Sequence, residues 1–378
     1  MKKQKIRLIV VLAALLCVSS SYSQLNTVTE MLSGFQESQE DVNKLFQAYV
    51  TPYGNALGAN LSAGWYNTAK PHKLGGFDLT FTFNMSFVPD ADKEFDLNTL
   101  GLSNGVVIGG DGIAPTAAGK REEGPSLQYT TDIEVAGVTQ TIPLVSFNTP
   151  KGSGIGFIPT PMIQLGIGLI KGTDVTVRYM PTIPLGDNGE IGLWGVGGKH
   201  SIKQWIPVLE KIPIFNLTLF GGYTKMNTDI GLDFTPDDLS TGGITVLDQT
   251  SDAVSFDDQH MLLEVKSFTM SILVSADFPI VCFYGGLGFA STNTNLKLEG
   301  NFPTPTADIV GGLPVAVVND GSVVTDPINV SIKNKDGGTT KPRLNAGMRI
   351  KLGVVTIHGD FTRSDYSIVT AGLGISFR

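Results

Sequence analysis

His358 and Asp360 stand two residues apart in a stretch, Val354 to Arg363, that alternates polar and apolar side chains. A strand puts alternate residues on one face, so this imidazole and carboxylate share a side. An imidazole beside a carboxylate is the base half of a nucleophilic triad, and Ser364 or Ser376 could supply the hydroxyl. Spacing selects neither serine, so residue types alone do not make a hydrolase, and the expectation is no enzyme. The same period puts Asp174 with Arg178, and Arg343 with Arg349 and Lys351, on the polar faces of two other segments. Glu264 is assigned to the same interior. Two chemistries follow if these polar faces converge on an enclosed space. The charges could order a passing polar solute, as selective pore linings do. They could instead pair and brace a closed interior, which is how buried charges are usually kept. With the turn placed at Leu352-Gly353, His358 is expected opposite Gly347 and Asp360 opposite Asn345.

The remaining reactive groups point less far. Asp229, Asp233, Asp237, Asp238, Asp248, Asp252, Asp257 and Asp258 crowd a segment, 227–259, that has no Lys or Arg. It could take divalent cations or stand as a solvated acidic loop; it lacks the spacing of a helix-loop-helix calcium site. His72, His200, His260 and His358 are not at metal-ligand spacing, and no cofactor is expected. His200, Lys199, Lys203 and Trp205 read as an interfacial segment, with the indole at headgroup level and the lysines reaching phosphate or water. Trp65, Tyr66, Tyr223, Phe361 and Tyr366 are candidates for aromatic girdles. A net charge of −8 argues against nucleic acid as a partner.

The element that must position these groups is clearest at Phe77 to Phe87. Phe77, Leu79, Phe81, Phe83, Met85 and Phe87 alternate with Asp78, Thr80, Thr82, Asn84 and Ser86. One face is wholly apolar and the other wholly polar, over the length a tilted strand needs to cross a bilayer core. The apolar face then meets lipid and the polar face lines a lumen. Forty-five Gly with only 16% charged residues fit closely packed strands. Connections alternate short and long, as in outer-membrane barrels, with long outer loops near 89–156, 227–259 and 299–341.

The first residues read as a Sec-type signal. Lys2, Lys3, Lys5 and Arg7 precede an apolar run, Leu8 to Val18, and cleavage is expected before Gln24. Cys17 falls inside that peptide, leaving Cys282 with no disulfide partner. Leu25 to Val50 carries helical periodicity and is expected to end at Thr51-Pro52, because the residue before proline is pushed out of the helical region. Residues 24–55 form a helical plug or periplasmic segment, and 56–378 the barrel. In 260–277 the apolar residues change parity, which signals a bulge near Lys266-Ser267 or a strand projecting beyond the membrane. Eleven alternating segments can be counted, Leu57 to Asn67 among them. Single-chain bacterial barrels close with even numbers, so about 12 to 14 strands are expected. The class is an all-β transmembrane antiparallel barrel with an N-terminal helical segment.

Gly195 to Pro207, Gly64 to Lys70, Gly75 to Asp78 and Phe220 to Thr224 together resemble a family of uncharacterised outer-membrane barrels from Bacteroidota. The resemblance covers most of the mature chain and implies no catalytic residue. The order helix then barrel is more distantly similar to the long-chain fatty-acid channels, which carry an N-terminal hatch. The first functional expectation is a passive or gated channel for small or hydrophobic solutes, contacting outer-membrane lipid. It leans on small lumenal positions: Gly166, Gly168, Gly286, Gly288, Gly372 and Gly374. The alternatives are a closed structural or surface-interaction barrel and a lipid-modifying enzyme.

Overall fold

The computed structural model describes residues 39–377 except 104, 136–137, 186–187, 240–245, 311–312 and 333–338. The expected signal, and the first part of the expected helix, lie outside the described residues. Ten strands close into one antiparallel barrel among the described residues: β1 (Phe77–Phe87), β2 (Phe157–Gly168), β3 (Thr173–Leu185), β4 (Gly189–Ser201), β5 (Phe215–Leu232), β6 (Gln259–Asp277), β7 (Val281–Glu299), β8 (Thr340–Leu352), β9 (Val355–Arg363) and β10 (Ser367–Phe377). Each strand pairs with the next, and β10 returns to β1 in register from Phe77↔Phe377 to Phe87↔Ser367. Closure leaves the main wall without an edge, so its backbone groups satisfy one another. The strand number is ten where 12 to 14 were expected. The surplus begins with Leu57 to Asn67, which is no strand: Leu57 to Ser62 belong to a helix.

That helix, α1 (Gln39–Ser62), runs straight through Pro52. Proline removes one rung of the ladder and costs about 3 kcal/mol in a helix interior. Burial offsets this here, because α1 is enclosed on most sides and its side chains pack against strands and loops. Gly54 and Gly58 are positions where close approach matters. A Cβ at Gly54 would come 2.9 Å from Ile332, and one at Gly58 would collide with Thr292. The apparent strand alternation of Leu57, Ala59, Leu61 and Ala63 arises because a helix buried nearly all round has no polar face to show its true period.

The wall is uneven. β9 has 9 residues and β1 and β10 have 11, whereas β5 has 18 and β6 and β7 have 19. A tilted strand needs about 9–11 residues to span a bilayer. β5, β6 and β7 therefore overshoot, and they do so at the end where the long connections lie. Their pairing with each other shows no register shift, so β6 has no bulge at Lys266-Ser267. The change of parity is an exchange of faces. Val265 is buried inside, while Glu264 and Lys266 face out beside Lys225. Below them Phe268, Met270, Ile272 and Val274 face out.

A belt of exposed apolar side chains surrounds the barrel, including Leu79, Ile163, Leu165, Val177, Phe283, Leu287, Met348, Phe361 and Leu373. So large a continuous apolar surface cannot be left in water. No described helix is long and apolar enough to cross a membrane; the crossing elements are the strands.

The connection 299–341, expected to be loop-like, is largely strand. Asn301–Pro303 pairs with Val323–Thr325, Thr306–Val310 with Leu313–Asn319, and Ile328–Ile332 joins the upper part of β7. The first long connection carries a hairpin of Ser126–Val135 and Val138–Asn148. These pieces make a folded cap around the upper half of α1. Val42 and Phe46 pack among Phe234, Phe302, Val318 and Ile332, while Leu45 packs with Leu97, Leu127 and Tyr129. Each such side chain removed from water contributes about 1.5–3 kcal/mol. α1 is thus the core of the cap as well as the filling of the barrel.

Candidate functional site: the filled interior

The polar faces of the strands converge on α1 and on the segment 63–76 that follows it. A helix leaves its last four carbonyls without helical partners, and its dipole makes that end negative. Here the wall supplies the donors. Asn84 Nδ2 donates to the carbonyls of Asn60 (2.8 Å) and, just past the helix, Ala63 (3.2 Å); Ser86 Oγ reaches the Ala56 carbonyl (2.9 Å) further inside the helix. Arg178 donates to the carbonyls of Leu61 (2.9 Å) and Ala63, and Arg343 to that of Ser62 (2.9 Å). Gln164 accepts from Arg178 Nε at 3.0 Å and donates to the Gly64 carbonyl at 2.6 Å. The Arg178 guanidinium also lies 3.6 Å from the centre of the Trp65 ring. The carbonyls at the negative end of the helix thus serve as partners for both guanidiniums, and Arg343 also interacts with the Asp360 carboxyl.

Lower down, two clusters clamp the segment after α1. Arg349 donates to Asp277 (3.0 Å) and to Asn67 Oδ1 (2.9 Å), and Thr68, Asn216 and Ser275 donate to the same carboxylate. In the other, Asp174 accepts from the His72 backbone N–H at 2.9 Å and lies 2.8 Å from His72 Nδ1 and 3.2 Å from Lys199 Nζ. Fully buried ion pairs are worth having only when remaining hydrogen bonds are also made; the Asp277 carboxylate has them, whereas Arg349 Nε has no partner among the described residues. Tyr284 donates to Asp360 at 2.9 Å, and Tyr66 to Asn345 at 2.8 Å.

The eight residues singled out by periodicity separate as follows. Asp174, Arg178, Arg343, Arg349, His358 and Asp360 are buried on the inner face. Lys351 has the same parity at the short-turn end, on the strand end that pairs with Thr356. Glu264 is not inside: it lies on the outer face, held by Lys225 and Lys266, because the strand's polarity exchanges at that level. The register also differs from expectation. His358 pairs with Arg349, Asp360 with Gly347 and Asn345 with Thr362, because the turn lies one residue later, with Leu352 opposite Val355. Gly353 takes φ 66° there, a conformation that favours glycine.

His358 and Asp360 do not meet a serine as a triad requires. The described bonds of Asp360 go to Tyr284 and Thr362, and Ser364 Oγ donates to the Pro342 carbonyl. His358 packs on Gly372, where a Cβ would run into the ring. A Cβ at Gly286 would come 2.7 Å from both Asn345 Oδ1 and Tyr66 Oη. These glycines admit neighbouring side chains; they do not widen a path. Cavities of about 20 Å³ near His72 and His358, and about 30 Å³ near Thr292 and Tyr366, are all that two of the interior gaps leave. The first holds about one water.

Several aromatic and basic residues change place. Trp65 and Tyr66 are buried in the lumen, packed tilted and edge-on against Phe220, and so belong to no girdle. Tyr366 is buried at the loop end and donates to Asp92 at 2.7 Å. Lys199 points inward to Asp174, away from the headgroups, whereas Trp205 is two-thirds exposed between β4 and β5. His72, Asp277, Tyr284 and Gln164 were not singled out. His72 follows Pro71 in a turn-like stretch where no period assigns a face, and Asp277 closes β6 on its inner face just before the turn at Phe278-Pro279. The aspartates of 227–259 are spread through local turns: Asp238 accepts from Thr235, Asp248 from Thr250 and Asp257 from Ser255. Among the described residues, no three acidic, His or Cys side chains gather as a metal site.

A closed barrel, apolar outside and filled by its own N-terminal helix, defines a plugged transmembrane β-barrel. The chain belongs to a family of unknown function, DUF6588, whose model matches residues 1–377. Among curated proteins none matches it. It is similar to solved outer-membrane barrels. The attachment invasion locus protein Ail of Yersinia pestis shares 8% identity, with 80% of this chain and 98% of that one covered at a TM-score of 0.24. The translocator domain of the autotransporter NalP from Neisseria meningitidis shares 10%, with 88% and 96% covered at 0.28. The transport unit of the autotransporter AIDA-I from Escherichia coli shares 8%, with 86% and 99% covered at 0.27.

Proposed function

We propose that the protein is an outer-membrane barrel held shut by α1, and that its working surface is the folded cap at the loop end. The observation that carries this is the capping of α1 by the wall through Asn84, Arg178 and Arg343. Hydrogen bonds to charged groups are worth about 1.5–3 kcal/mol each, so withdrawing α1 costs on the order of 5–10 kcal/mol before the cap core is counted. A solute would have to favour the open state by that much to gate the pore. Export by the Sec route and lipid contact along the exposed belt complete this reading. The channel expectation leaned on small lumenal residues, and those positions are taken up by side chains of the plug and wall.

Planar-bilayer recording decides between the two. The full chain is expected to insert without steady conductance, and a chain lacking residues 39–63 to conduct. Steady single-channel current from the full chain would overturn the proposal in favour of a channel.

A further inference from the structure

A groove of about 580 Å³ opens on the outer wall across β3 to β7, at the level where the apolar belt gives way to polar residues. That volume lies within the range of small-ligand sites. Its floor is low because Gly192 carries no side chain and because the β3–β4 register shifts between Met180 and Ile183. Its lower rim is aromatic: Tyr179 pairs with Trp194, and both are about half exposed. Above them one row pairs Gly192, Asn227, Glu264 and Asn295, and the next pairs Glu190, Asp229, Leu262 and Lys297.

The lining chemistry is specific. Glu190, Asp229 and Glu264 share the lining with Lys297, and Lys225 and Lys266 beside Glu264 bring the charges to balance, so the groove has no surplus cation for a phosphate. Glu264 is fixed by Lys225 and Lys266, and Asp229 lies 2.7 Å from His260 Nδ1. Carboxylates and the amides of Asn227 and Asn295 accept from and donate to hydroxyl groups. Aromatic rings offer an apolar face with a wet edge, suited to a ligand that is polar on one side only. A hexose has that character. The groove is also continuous with the lipid-facing belt directly below it.

We propose that this groove seats the neutral sugar portion of an outer-leaflet glycolipid whose acyl chains lie along the belt. The inference rests on the membrane-embedded reading given above. It is tested on the full chain in a detergent without a sugar headgroup, with Trp205→Phe as background. Trp194 then reports, because Trp65 is buried. The probes are lipid A bearing a core hexose oligosaccharide, lipid A alone, and the released oligosaccharide.

Saturable quenching by the sugar-bearing glycolipid is expected, with at least tenfold weaker binding in Gly192→Val and in Asn227→Ala. Equal response to lipid A alone overturns the proposal, as does unchanged binding in both variants. Equal affinity for the released oligosaccharide overturns the glycolipid commitment and assigns the groove to soluble glycans. Each variant is first checked for the mobility shift of a folded barrel on unheated gels. A wild-type chain that lacks this shift fails the membrane reading itself, whatever the sugar result.

Discussion

Arg178 does three things with one side chain. Two nitrogens meet the carbonyls of Leu61 and Ala63, a third meets Gln164, and the plane lies over Trp65. A lysine has a single compact charge and cannot span those acceptors. Arg178→Ala is expected to destabilise by about 3 kcal/mol or more, from two charge-assisted bonds at about 1.5–3 each. Arg178→Lys should recover only a minor part. Urea titration of the mobility shift measures both; full recovery by lysine would show that charge alone matters. Phe81 and Thr82 test the two faces of β1. Phe81→Arg places a charge in the lipid belt and is expected to cost about 2–4 kcal/mol. The polar face of β1 suggests a milder effect of arginine at Thr82 than at Phe81, but Thr82 is fully buried and accepts from Gln164 at 2.9 Å. Thr82→Arg should therefore also fail, by overpacking against the segment 63–64. Recovery of folded Thr82→Arg at the wild-type level would argue for a roomier interior. In the cap, the Ser251 backbone N–H and hydroxyl hold the exposed Asp320 carboxylate below the usual range. A depressed folded value means the contribution is full above the unfolded value, about 3.9, and is lost as pH falls through the folded one. Hydrogen exchange of the Ser251 amide, corrected for intrinsic rate, should lose protection below about pH 4 and hold it at pH 6.

Among the elements, strands that touch lipid on one side and polar contents on the other were legible, because each face has one chemistry. β1 is the purest case, and its bounds agree with the alternation residue for residue. The last three strands and the short links between them were legible for the same reason. α1 was legible only in part. Its buried lower half shows no amphipathic period, and Pro52 offers a stop signal that packing overrides. The strands of 299–341 were hidden because they pair over loops and alternate weakly. Six of the eight interior charges could be assigned a face from period alone. Their partners could not, since Asn84, Gln164, Asp277 and His72 make sense only once α1 and its tail are inside. Glu264 failed because β6 leaves the membrane partway, and a parity rule assumes a single solvent on each face.

At the scale of the whole molecule, the chain runs through its own barrel. Gln39 lies at the loop end, donating to the Pro327 carbonyl at 3.2 Å. The segment after α1 leaves at the opposite end, where Gly75 N–H donates to the Gly168 carbonyl at 3.1 Å before β1 begins. An epitope placed just ahead of Gln39 is therefore expected to be reached by antibody from the same side as one inserted at Asp252. Antibody labelling of intact cells, with permeabilised cells as the reference, measures this. A tag seen only after permeabilisation would contradict the threading.

That passage has a mechanical meaning. In the closed barrel α1 lies along the axis of a wall whose seam is the β1–β10 ladder. Whatever is attached ahead of Gln39 ends at the loop end of the barrel, so a flexible peptide fused there should permit assembly and a tightly folded domain should hinder it. Once the seam has zipped, the molecule is also polar to force. A pull on the N-terminus draws α1 upward along the axis, breaking its caps one after another. A pull on the Gly75 side loads the β1 seam, where the ladder shares the strain across all its rungs at once.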